Sequence, residues 1–221
     1  MQERTVYTAG ARPSVLETNK VLRNTYMLLS MTLLFSAVCA GVAMMMNLPR
    51  MAGIVMSLAA FGVLFVIHKK ADKASGIGWI FLFTGLLGGA LAPMLNAYVA
   101  AGMGGLIFQA LGATALVFFA LSGYVLTTKK DFSFMGGFLM VGLVVVLVAA
   151  LANIFFAIPA VSLAISSAIV FIMSGLILFD TSRIIHGGET NYIRATVSLY
   201  LNIYNLFTAI LHLLGAFGGD D

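Results

Sequence analysis

The chain has 221 residues, 61% of them hydrophobic and only 9% charged, with 12 lysines and arginines against 8 aspartates and glutamates. Soluble domains carry about a quarter charged residues, so this composition excludes an ordinary soluble fold. It also leaves no stretch for a second domain.

The predicted architecture is an all-α membrane protein with seven transmembrane helices. A polar N-terminal tail, residues 1–23, precedes a membrane domain over 24–217, and a short acidic tail over 218–221 follows it. The N-terminal tail holds Gly10, Pro13 and charges of both signs, a composition that reads as disordered. The first predicted span is 24–46. It is too long for the apolar segment of a signal peptide and follows a polar stretch, so an uncleaved anchor is expected. Its Cys39 is the single cysteine of the chain, which excludes an intramolecular disulfide and reads as a packing residue.

The second span, 51–67, follows the breaker Asn47-Leu48-Pro49 and is short for a crossing. No charged side chain occurs in residues 74–128 or 132–179. A helix crosses the bilayer core with about 20 apolar residues, so each of these runs must cross, turn and return. They divide into spans 77–99 and 104–126 at the glycine cluster around Gly102, and into spans 134–156 and 160–179 at Ile158-Pro159. In the third span Gly85, Gly88 and Gly89 form a small face for a close neighbour, and Pro93 predicts a kink. Asn96 and Asn153, near span ends, read as local caps. After His186-Gly187-Gly188 comes the seventh span, 195–217, the most polar of the set, for which a re-entrant course is the alternative.

Basic residues test this topology. Arg4, Arg12, Lys20 and Arg23 share one side with Lys69, Lys70, Lys73, Lys129, Lys130, Arg183 and Arg194, and only Arg50 falls on the other. The positive-inside rule therefore places the N-terminus in the cytoplasm and, with seven crossings, the C-terminus outside.

Function must lie in the few polar groups that are costly where they sit. Asp180 closes the sixth span, where the helix dipole disfavours a carboxylate. Either an ion pair with Arg183 at i+3 holds it there, or it points into the bundle as a cation or proton site. On the seventh span Ser198, Asn202, Asn205, Ala209 and His212 fall on one face, with Leu199, Tyr200, Leu206 and Ile210 directed elsewhere. Amides and an imidazole find no partners in hydrocarbon, so that stripe should face protein or trapped water. It is either interhelical hydrogen-bonding glue or the lining of a wet interior.

Enzyme chemistry has no recognisable bearer. There is no pair of aspartates within a span, no HExxH and no GxSxG, and the seventh span has no lysine for a Schiff base. His68 and His186 have no second ligand at i+3 or i+4, so no metal site is expected. No basic, aromatic-interleaved surface suits nucleic acid, and membrane lipids are the obligatory partner.

Residues 178–185 (LFDTSRII), 189–193 (ETNYI) and 198–207 (SLYLNIYNLF) resemble the signature of the transmembrane Bax-inhibitor family. Residues 114–137 (TALVFFALSGYVLTTKKDFSFMGG), 153–156 (NIFF) and 83–93 are similar to the same family, and 20–29 (KVLRNTYMLL) with 186–200 resemble its bacterial YccA branch. The resemblance implies a seventh helix at the centre, enclosed by the other six. It also implies one of two activities. Some members are pH-sensitive calcium leak channels gated by two acids, one matched by Asp180 and the other replaced here by Asn202. An aspartate beside an amide cannot share a proton as two carboxylates do. No cofactor is expected, and calcium is the one ion the resemblance introduces. Members of the YccA branch associate with the membrane-anchored protease FtsH and its HflK/HflC partners, as modulators and slow substrates in the bacterial inner membrane. On that reading Met1, Gly10, Pro13 and Lys20 belong to a tail the protease engages, the alternative being a plain membrane-proximal tail.

Overall fold

The computed structural model describes the backbone of residues 15–73 and 75–218, with side chains from residue 20 onward. Seven α-helices follow in order: α1 Val15–Met45, α2 Arg50–Lys70, α3 Gly76–Ala100, α4 Gly104–Thr128, α5 Gly136–Phe156, α6 Pro159–Ile185 and α7 Tyr192–Phe217. A 3₁₀ turn, Ser133–Met135, leads into α5. All seven helices are long and apolar enough to cross a bilayer, and the protein is a seven-span all-α membrane protein. At 1.5 Å per residue the 21 residues of α2 reach about 31 Å, so the short second span is full length.

Local chemistry sets the ends. Lys129 (φ 53) and Ala157 (φ 50) close α4 and α5 in the left-handed region, each N–H returning to the carbonyl four residues back. Asn153 ties the α5–α6 turn, accepting from the Ile158 N–H at 3.1 Å and donating to Ser162 Oγ at 2.7 Å. Pro159 opens α6, where a missing N–H costs nothing. Asn191 caps α7 by accepting from the N–H groups of Ile193 and Arg194. Asn96 is not a local cap: its amide reaches the Met44 carbonyl at 3.1 Å and joins α3 to the end of α1. Helix α3 continues past Pro93 without interruption.

Helix α7 packs against α1, α3, α4 and α6, while α2 rests on α3 and α5 on α6. The expected enclosure by six helices is therefore enclosure by four, because each of the two outer helices has its own inner neighbour to cover. The close approaches rely on the predicted glycines of α3. A Cβ at Gly88 would overlap the carbonyl and hydroxyl oxygens of Ser36 on α1, and Gly85 and Gly89 face Phe35 and Met56. Since α1 begins at Val15, Lys20 is an exposed helical residue, and the helix starts within the polar stretch that precedes the first span.

Candidate functional site

Helix α6 runs on to Ile185, so Asp180 stands more than a turn inside it and beyond most of the influence of the terminal dipole. The carboxylate is 7% exposed. Its Oδ2 accepts from Ser198 Oγ at 2.6 Å and from Asn202 Nδ2 at 2.8 Å, while Oδ1 takes no hydrogen bond among the described residues. The two donors are four residues apart on α7 and so share one face. They hold the acid with hydrogen bonds in place of a counter-ion.

Arg183 is not that counter-ion. Its Nη2 donates to the Gly188 carbonyl at 3.0 Å and its guanidinium lies 5.5 Å from the centre of the Phe179 ring. Among the described residues the only ion pair within 4 Å joins Arg194 to Asp72, at 3.0 Å. The reason is geometric. The α6–α7 turn, with Gly187 at φ 76, brings a carbonyl within reach of Arg183, whereas Asp180 faces the interior.

The rest of the predicted stripe divides. Ala209 is buried, but Asn205 donates back to its own helix at Leu201 O, 2.9 Å away, and does not reach Asp180. His212 meets Ser166 Oγ of α6 at 2.8 Å and is exposed at its outer edge, contrary to the expected inward placement. Asp180 and Ser166 are separated by about 21 Å of helix, with Met173 and Ile177 buried between them. The stripe therefore consists of two polar contacts with an apolar length between, not one continuous wet seam.

One group expected to point elsewhere is the largest fully buried side chain of α7. Tyr200 is 1% exposed, with its hydroxyl 2.6 Å from Ser36 Oγ on α1 and donating to the Thr84 carbonyl on α3 at 3.2 Å. The i, i+4 spacing of Thr196, Tyr200 and Tyr204 is the pattern that could have found it.

The basic end is tied by its turns. Asn191 Nδ2 donates to Ala71 O and to Asp72 Oδ1, fixing the start of α7 to the α2–α3 turn beside the Arg194–Asp72 pair. Ser182 Oγ accepts from the Phe132 N–H at 2.9 Å, and His186 Nε2 lies 3.1 Å from Lys129 O, fixing α6 to the α4–α5 turn. In that turn hydrogen bonds from Ser133, with the neighbouring His186, hold the Asp131 carboxyl below the usual carboxylate range. Between these tied turns lies an open cavity of about 190 Å³, with Asp180, Ser198, His68, Arg183, Glu189 and Arg194 on its walls. Of the predicted tail residues, Met1, Gly10 and Pro13 lie outside the described residues.

A seven-helix membrane bundle whose most polar helix is its most buried, and which grips an acid of the sixth helix, defines the class. The family model described as inhibitor of apoptosis-promoting Bax1 matches residues 18–219, and the chain belongs to that family. It is 55% identical over 213 residues to the protein of Escherichia coli K12 named modulator of FtsH protease YccA, covering 96% of this chain and 97% of that one. An uncharacterized membrane protein of Vibrio cholerae is 55% identical over 208 residues, 93% of each chain. A Pseudomonas aeruginosa protein is 46% identical over 222 residues, the full length of both.

Proposed function

We propose that this protein modulates an FtsH-type membrane-anchored protease, itself being a slowly degraded substrate, and that it catalyses no reaction of its own. The observation that carries this reading is the 55% identity, across 96% of the chain, to a protein named for that role. The same reading places it in the bacterial inner membrane with HflK/HflC proteins as further partners, the N-terminus cytoplasmic and the C-terminus periplasmic. The one-sided distribution of lysine and arginine supports that orientation. A polar segment ahead of α1, containing Met1, Gly10 and Pro13, is what a processive protease can grip, and Lys20 lies on the helix it would then pull.

Deletion of residues 1–14 tests this in cells. The expected result is a stabilised protein and an altered degradation rate for the other membrane substrates of the protease. Unchanged turnover of both sinks the proposal.

A calcium or proton leak through Asp180, with Ser198, Asn202, Asn205 and His212 along α7, is the second reading, favoured by the opening of the cavity onto Asp180. Two arginines on the same walls and the apolar length before Ser166 oppose it. Equal calcium flux and equal proton flux into liposomes from wild type, Asp180→Asn and empty vesicles remove this reading.

A further inference from the structure

The cavity at the basic end is unlike the rest of the bundle, because charges of both signs meet there around a buried acid. Asp180 is more than nine-tenths buried, and its Oδ1 is left without a donor among the described residues. Glu189 stands on the same walls as a second carboxylate, with one oxygen engaged by the Asn191 N–H. Arg183 and Arg194 each commit one nitrogen, to Gly188 O and Asp72. A guanidinium has five N–H donors, so both keep most of theirs. His68 Nδ1 lies 2.9 Å from Leu64 O, which directs the Nδ1 proton to that carbonyl and leaves Nε2 free.

The charges select the ligand. A bare divalent cation would face two guanidinium groups, and no cluster of three or more metal-ligating side chains exists among the described residues. A bare anion would face Asp180 and Glu189. A molecule with both signs satisfies both walls. The volume, about 190 Å³, is below the range of drug-sized pockets. That suits a short headgroup-sized zwitterion. Paired arginines match phosphate oxygens through forked hydrogen bonds, and a carboxylate with a free oxygen matches a primary ammonium. The site lies where α2, α6 and α7 end or begin, at the end of the bundle that carries Lys69, Lys70, Arg183 and Arg194, and basic residues at span ends mark the headgroup side of a membrane protein.

We infer that this cavity binds phosphoethanolamine, as a lipid headgroup or as the free compound, with the ammonium on Asp180 and Glu189 and the phosphate on Arg183 and Arg194. The test uses the full-length protein in phosphatidylcholine nanodiscs and involves no protease, so its outcome is independent of the proposed modulator role. Free phosphoethanolamine and phosphocholine are titrated separately, with binding followed by the phosphorus resonance of each. In a parallel arm, native mass spectrometry measures retention of phosphatidylethanolamine against phosphatidylglycerol.

The primary ammonium should bind about 10-fold more tightly than the trimethylated one, which has no N–H for Asp180. Arg183→Gln should weaken both arms by a similar factor. Binding of the free compound alone assigns the site to a soluble ligand, and retention of the lipid alone assigns it to a headgroup; either supports the inference. Binding in neither arm, phosphocholine bound as tightly as phosphoethanolamine, phosphatidylglycerol retained as strongly as a retained phosphatidylethanolamine, or no response to Arg183→Gln in a correctly folded variant overturns it. The ligand comparison needs no mutation, so it decides the matter even if a variant fails to fold.

Discussion

Helices α5 and α7 reverse the rule of soluble proteins. The most apolar span, α5, buries two of its 21 residues within the protein, Leu139 and Val146, and the least apolar, α7, buries 12 of its 26. Val141, Val144, Val145, Val148 and Leu151 of α5 all face outward. Lipid accepts them at no cost, whereas the hydroxyls and amides of α7 have no partner in hydrocarbon and must be surrounded by protein. In a bilayer, then, polarity marks the interior, and α7 is the most buried helix because it is the one lipid would least tolerate.

The sharpest way to break this contrast is to push a neighbour away from α7. Gly88→Leu places a side chain where α1 presents the Ser36 carbonyl, and should destabilise the bundle by about 3 kcal/mol in reversible unfolding in bicelles. A loss below about 1 kcal/mol would mean that the α1–α3 contact is soft. Asp180→Ala leaves the Ser198 hydroxyl and the Asn202 amide without their acceptor and should cost about 2 kcal/mol, with Asp180→Asn, which retains an acceptor oxygen, costing less. The order of those two variants shows whether the acceptor or the charge matters to the fold.

Tyr200→Phe keeps the ring and removes only the hydroxyl shared with Ser36 and Thr84. About 0.6 kcal/mol is expected, the average found for hydrogen bonds between membrane helices. Val148→Ala on α5 should stay within about 0.5 kcal/mol, since the side chain is 61% exposed. If the α5 substitution cost as much as the α7 one, the outer helix would have a protein partner, detectable as a mass increase in light scattering.

Much of the site was legible in the chain and part of it was not. Asp180 and the face of Ser198 and Asn202 each stand out by their cost in hydrocarbon, and the family resemblance sets Asn202 beside Asp180. Arg183 was a natural partner by spacing, yet it turns to the Gly188 carbonyl, since helix spacing fixes neighbours on one helix and not the competition offered by a turn. Asn205 and His212 fit the same stripe, but one returns to its own backbone and the other reaches Ser166 at the far end of α6. Helix-wheel geometry directs Tyr200 away from the interior, because a wheel drawn for one helix assumes a single inner face. Helix α7 has neighbours on several sides and buries Leu199, Tyr200, Asn202 and Leu206 together.

The sequence alone determined the number of crossings, the places where the chain turns and the end of the bundle that carries the positive charge. Hydrocarbon forbids charges and unpaired backbone over any length, and that prohibition acts on each segment separately. Only the tertiary structure decided which helices touch α7, which donors Asp180 receives and which charges share its cavity. Those outcomes depend on how seven similar cylinders fit against one another, a matter of side-chain shape and glycine placement in three dimensions that hydropathy along the chain does not encode.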